Sequence, residues 1–161
     1  MYYTQKYTIV HFIHPIDEGT TFSMYEWPLH TTLADVFAIN YSDELLTDLQ
    51  QYADSLVPIT TSVGKESMLS ETPVWLLKKS KELQDLHVNL LEVLKKHDAQ
   101  FNTPEFTREG FLPHITKQKN SAMYEGERVD IDSFSLVDMF PNGDWQERKV
   151  IAQFAWAKPK N

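Results

Sequence analysis

Apolar and polar positions along the chain switch between two periods, and each switch marks an element. Tyr7-Thr8-Ile9-Val10-His11-Phe12-Ile13 is dense in β-branched and aromatic residues and predicts a strand, which Pro15 ends. Asp17-Glu18-Gly19-Thr20 predicts a turn. A second strand is expected from Leu29 to Ala38. Because strand side chains alternate between faces, Leu29, Thr31 and Leu33 should share one face and His30, Thr32 and Ala34 the other. The period then lengthens. Leu45, Leu46, Leu49 and Tyr52 form the apolar stripe of a helix running to about Leu56, with Ser42 as N-cap and Asp43 and Glu44 in the first turn. Pro58 opens a strand through about Val63, and Gly64 breaks or bulges it. Pro73-Val74-Trp75-Leu76-Leu77 is a further, strongly apolar strand.

Ser80 caps the longest helix, about Lys81 to His97, in which Leu83, Leu86, Leu90, Leu91 and Leu94 recur at helical spacing. A polar loop containing Pro104 follows, then a strand from Phe111 to about Lys119. Ser133 to Phe140 and Glu147 to Trp156 flank Pro141-Asn142-Gly143-Asp144, and Asn-Gly between two strand-like runs predicts a hairpin. This order predicts an α+β fold with mainly antiparallel sheets. No low-complexity segment or flexible linker interrupts it.

With 161 residues, the chain is the length of one ordinary domain, and a 42% hydrophobic fraction suffices for a real core. No run reaches the roughly 18 apolar residues of a membrane helix. Met1 to Lys6 lacks the basic and apolar regions of a secretory leader, so a cytoplasmic location is expected. The absence of cysteine removes disulfides, thiolate metal sites and cysteine nucleophiles together. A formal net charge of -8 argues against tight binding along duplex DNA, which needs a surplus of Lys and Arg on the phosphates. A small phosphorylated ligand held by a few local groups fits better, with a local basic patch at Lys117 and Lys119 still open.

Two words carry candidate chemistry: His30-Thr31-Thr32 and His114-Ile115-Thr116, both His-x-Thr. Trp27-Pro28-Leu29 precedes the first and Phe111-Leu112-Pro113 the second. On a strand the histidine and the threonine two residues later project together. Their recurrence in the two halves suggests two similar lobes. Each residue also has an ordinary reading, since strand histidines are commonly structural and threonine is a β-former. His11 and His14 stand three apart, hence on opposite faces of a strand, and are expected to have structural or surface roles rather than to share a metal, with a place for His11 in the cleft left open. His87 and His97 on the long helix are expected at the surface. No Gly-rich phosphate loop, Gly-x-Ser-x-Gly elbow or convincing Asp/Glu/His metal spacing is present.

The two words in this setting, with Pro-Leu before the first, Phe-Leu-Pro before the second and a strand pair and long helix between, resemble the two-histidine (2H) phosphoesterase superfamily. That superfamily includes 2′-5′ RNA ligase-like (LigT-like) proteins and 2′,3′-cyclic phosphodiesterases. The resemblance covers most of the chain. It implies one two-lobed, pseudo-symmetric domain over residues 1–161, with outer helices and a central cleft. It also implies hydrolysis of a 2′,3′-cyclic phosphate, to a 2′-phosphate, or of a 2′-5′ phosphodiester, with ligation as the reverse reaction. His30 and His114 would be the acid–base pair, and Thr32 and Thr116 would bind the phosphate. No metal or other cofactor is expected. The expected partner is a small phosphorylated nucleotide or an RNA 3′ end, not duplex DNA and not a membrane. Tyr25, Trp27, Phe111 and Tyr124 are candidates for stacking on a base because they lie near the motifs in sequence. Lys117, where the family often has an apolar residue, should fall on the Ile115 face, away from the histidine. Which histidine is base and which acid stays open. So do a non-catalytic nucleotide- or RNA-end-binding role and hydrolysis of cyclic dinucleotides, 2′-5′ oligoadenylates or an ADP-ribose cyclic phosphate.

Overall fold

The computed structural model describes residues 5–119 and 121–157. Residues 1–4 of the N-terminal stretch read above for a leader lie outside the described residues. Among the described residues, ten strands and two α-helices follow one another: β1 (Tyr7–Phe12), β2 (Thr21–Ser23), β3 (His30–Ala38), α1 (Asp43–Asp54), β4 (Ile59–Leu69), β5 (Thr72–Leu77), α2 (Lys81–Lys95), β6 (Gln100–Phe101), β7 (His114–Thr116), β8 (Arg128–Ile131), β9 (Ser133–Asp138) and β10 (Glu147–Ala155). The strands run in the order β2-β10-β9-β1-β3-β7-β5-β4-β8, with β6 paired to the end of β3. Neighbours along this path are antiparallel. The fold is α+β, as the element order predicts.

The topology divides at its middle. β3 leans on β1 and β7 on β5, and the two half-sheets meet only where Thr31 faces Ile115. Beyond that pair, the polypeptide before β7 turns away through 3-10 turns at Pro104–Phe106 and Arg108–Gly110. Gly110 is obligatory there, because a Cβ would sit 1.9 Å from the Glu105 carbonyl oxygen. β7 is therefore shorter than the strand expected from Phe111 to Lys119. Pro113, which has no N–H to donate, immediately precedes it.

Both helices start where their serines accept a hydrogen bond: Ser42 from the Leu45 N–H and Ser80 from the Leu83 N–H, each at 3.2 Å. Such caps satisfy an amide that the first turn leaves unpaired. α1 packs on β10, α2 on β3, and the helices touch each other. The stripe Leu83, Leu86, Leu90, Leu91 and Leu94 is buried, with Phe37, Leu45, Leu49, Ile115 and Phe134 among its companions in the main core. A smaller apolar cluster of Val10, Phe12, Val137 and Val150 is extended by Phe22 and Trp27.

Other expectations need correction as well. His87 and His97 are buried, not at the surface. His87 falls on the same stripe as the α2 leucines, and both rings find partners: His87 at the Leu33 carbonyl and His97 at the Asp48 carboxylate. Strict alternation also fails along β3. Ile9 faces Ala34 while the next residue, Val10, faces Thr32, so Leu33 is an extra residue in β3. This bulge reverses the alternation beyond it. Ala34 is consequently buried with the core instead of following His30 and Thr32. Gly64 does bulge β4, since the β4–β5 register shifts between Val63 and Glu66, but the strand continues to Leu69. Asn142 and Gly143, at φ 53° and 78°, turn the chain between the paired strands β9 and β10.

Candidate active site

The register of the central pair determines which side chains meet. Thr31 opposes Ile115, and both are fully buried on the core side. One step away on either side, His30 comes opposite Thr116 and Thr32 opposite His114. All four then project from the other face, where cross-strand neighbours have Cβ atoms roughly 5 Å apart and diagonal ones about 7–8 Å. The two His-x-Thr words are thus brought together, each histidine facing the other word's threonine.

Both imidazoles are held in the same way. His30 Nδ1 lies 2.8 Å from the Pro28 carbonyl, and His114 Nδ1 lies 2.7 Å from the Leu112 carbonyl. A carbonyl oxygen only accepts, so each Nδ1 must carry the hydrogen. Nε2 is left as the atom that gains or loses a proton. In each case the carbonyl belongs to the residue two before the histidine, in a segment bent by a proline.

Their surroundings differ. The His30 ring packs against Trp27, with centroids 4.5 Å apart, and against the edge of Phe12 at 6.2 Å. Arg148 also lies over the Trp27 ring, its guanidinium carbon 6.0 Å from the centroid. Burial in this aromatic wall is the main cause that pushes the His30 pKa down to about 4. The Pro28 carbonyl opposes the shift, and the neighbouring His114 adds to it. His114 instead lines an open cavity of about 540 Å³ together with Thr32 and Thr116. The cavity continues along Leu33 and Asp35 of β3, Leu69 and Ser70 at the β4–β5 turn, and Phe106 and Phe111.

Of the four aromatic candidates, Trp27 backs His30, and Phe111 lines the cavity but is buried with its ring flat on His87, 4.0 Å away. Tyr25 and Tyr124 are 71% and 68% exposed and do not line the cavity. Asp35, Phe106 and His87 line it and escape a reading by motif. His87 donates from Nδ1 to the Leu33 carbonyl (2.7 Å) and accepts at Nε2 from the Arg108 N–H (2.9 Å). It therefore ties β3 to the segment that leads into the second motif. Its pKa is lowered, chiefly by burial, in keeping with a neutral ring that both donates and accepts. Lys117 lies over the Trp75 ring at 5.0 Å and pairs with Glu66 at 2.9 Å. His11 is buried and bonded to the Ser133 carbonyl. Among the described residues, no group of three or more His, Cys, Asp or Glu could hold a metal ion, and no helix is long and apolar enough to cross a membrane.

The comparisons with known proteins bear on the family and the fold. The family model described as 2′-5′ RNA ligase superfamily matches residues 9–129. A crystal structure of a phosphoesterase superposes with a TM-score of 0.58 at 15% identity, covering 97% of this chain and 100% of its own. E. coli LigT complexed with NADP+ gives 0.56 at 15% identity, covering 96% and 99%. The same protein complexed with 3′-AMP gives 0.55 at 15% identity, covering 97% and 100%. No curated protein sequence matches the chain.

Proposed function

The chain belongs to the 2′-5′ RNA ligase superfamily, and from that premise we propose that it is a metal-independent phosphodiesterase using His30 and His114 as an acid–base pair. Its substrate is a 2′,3′-cyclic phosphate or a 2′-5′ phosphodiester of an RNA end or small nucleotide. The observation that carries this reading is the matched pair of imidazoles, each with Nδ1 bonded to the carbonyl two residues earlier and Nε2 left for the substrate. Each half of the chain supplies one His and one Thr, so residues 1–161 act as one two-lobed unit. Nucleotide complexes of the structurally similar E. coli LigT, with 3′-AMP among them, support a nucleotide ligand.

In the hydrolytic direction on a cyclic phosphate, His30 Nε2 takes a proton from water as the water oxygen attacks phosphorus. The bond from phosphorus to the ribose 3′ oxygen breaks, and His114 Nε2 gives its proton to that oxygen. A 2′-phosphate and a 3′-hydroxyl result. Thr32 and Thr116 hydroxyls donate to the non-bridging oxygens, where charge accumulates in the transition state. His30 is the base because its aromatic wall keeps it neutral. His114, facing the open cavity, is the acid.

The direct test is incubation with 2′,3′-cyclic mononucleotides in excess EDTA. Formation of the 2′-nucleotide at an undiminished rate is expected. Binding without product would identify a non-catalytic module of the same fold, and loss of turnover that a divalent ion restores would overturn metal independence. The lowered His30 pKa has its own signature. A base must be neutral, so kcat/KM should hold as pH falls below the ordinary histidine value of 6.5 and drop only near pH 4. Far-UV circular dichroism at each pH separates this limb from unfolding. The same limb arises with His30 as the acid, so the roles are separated with an aryl phosphodiester, whose leaving group needs no proton: there His114→Ala should cost far less than His30→Ala, and the opposite order overturns the assignment.

A further inference from the structure

Aromatic rings near the cavity are mostly engaged with one another or with histidines, but among the described residues no ring packs on Phe106. Trp27 is packed on His30 and Phe111 on His87. Phe106 lines the cavity yet is 57% exposed, an apolar ring at the edge of a pocket. Beside it lies a carboxylate. The β3 bulge turns Asp35 to the cavity side, where Asp35 Oδ1 accepts from the Val36 N–H at 2.8 Å and Oδ2 from the Thr103 hydroxyl at 3.0 Å. The carbonyl of the same Thr103 accepts from the Phe106 N–H at 3.0 Å. Thr103 thereby fixes the carboxylate and the ring relative to each other.

A carboxylate offers about four lone-pair positions, and two are used here. No Lys or Arg lines the cavity among the described residues. Closing a ligand over Asp35 would strip water from it at a cost unless the ligand itself brings N–H or O–H donors. Asp35 also stands apart from the phosphate groups. It is three residues beyond Thr32 on β3, roughly 10 Å at about 3.3 Å per residue and somewhat less across the bulge. That is the span of a nucleoside, not of a bare phosphate.

We propose that this end of the cavity is a nucleobase subsite that selects guanine, with Phe106 as the stacking platform and Asp35 as the reader of the base edge. The proposal rests on the phosphodiesterase reading above and assigns that site its substrate class. Guanine presents an imino N–H and an amino N–H side by side, matching an acceptor-only carboxylate. Adenine and cytosine set one amino group beside a ring nitrogen that also accepts. Uracil sets its single N–H between two carbonyls, which the carboxylate repels. A flat exposed ring adds stacking energy of about 1–3 kcal/mol per base without choosing among bases.

The test compares guanosine and uridine 2′,3′-cyclic phosphates for kcat/KM, and 3′-GMP with 3′-UMP for calorimetric binding. In the wild-type protein guanosine should be favoured at least tenfold in both. Asp35→Asn keeps the size of the side chain and an acceptor for the Val36 N–H, and should bring the ratio close to one. Phe106→Ala, at an exposed position that the fold does not need, should weaken both bases by a similar factor. Turnover with no base preference, unaltered by Asp35→Asn, overturns the subsite and leaves the phosphodiesterase reading intact. Asp35-dependent binding of 3′-GMP without turnover of any cyclic nucleotide keeps the subsite and overturns that reading.

Discussion

Replacing His114 by alanine is expected to lower kcat on a 2′,3′-cyclic nucleotide by at least about a hundredfold, and His30→Ala by a comparable factor. General acid–base groups typically contribute about 10²–10⁴-fold each, which is about 3–5 kcal/mol of barrier at 1.36 kcal/mol per tenfold. In the hydrolysis proposed here the two transfers occur on opposite sides of one phosphorus. Removing either leaves water to act alone at that side. The losses in the double variant should fall well short of their product, because a pair working as one unit is largely disabled by its first deletion. His114 bonds the Leu112 carbonyl and lines the open cavity rather than the core, so His114→Ala should remain folded. His30→Ala removes a packing partner of Trp27 and calls for a check by circular dichroism. A folded variant of either kind that turns over at nearly the wild-type rate would remove the histidine pair from the mechanism.

His87→Ala should act on stability, with a loss of unfolding free energy of about 3 kcal/mol. The ring is 2% exposed and satisfies two backbone groups, the Leu33 carbonyl and the Arg108 N–H. Leaving a buried donor or acceptor without a partner costs about 1–3 kcal/mol. The deletion also takes away the surface on which Phe111 lies flat. Arg108 is held at φ 57°, a conformation unfavourable for a side chain with a Cβ, and its amide bond to His87 is part of what keeps it there. Urea unfolding should show a lower midpoint with an unchanged slope. A loss under about 1 kcal/mol would mean that water replaces both bonds at no great cost.

Much of the frame was legible in the residues. The leucine stripe of α2 is regular, and its Ser80 cap stands where expected. The β-branched run of β1 and the apolar run of β5 left little choice of element. The repeated setting of the two motifs suggests matched lobes, but the register that sets one motif beside the other is not in the sequence. Sequence alternation cannot say that Thr31 will face Ile115. The misses share physical causes. An extra residue in β3 reverses the alternation after Thr32, which hid Asp35. The segment 104–110 is built of 3-10 turns with no periodic pattern, so Phe106 was invisible as a wall of the cavity. Nearness along the chain singled out Tyr25 and Tyr124, yet both point to solvent while a ring eight residues before the second motif reaches the cavity. His87 is polar yet shares the buried face of α2 with the leucine stripe, so residue type alone misplaces it at the surface.

The antiparallel register of β3 and β7 gives the four central groups a palindromic arrangement: His then Thr read in one direction matches His then Thr read in the other. To these groups alone, a phosphodiester and the same diester turned end for end are equivalent guests. Polarity, meaning which ribose oxygen departs and which side water approaches from, must come from outside the palindrome. On one side stands the closed aromatic wall of Trp27 and Phe12, and on the other the open cavity that runs toward Phe106. Direction is thus written in the unlike flanks of a symmetric centre.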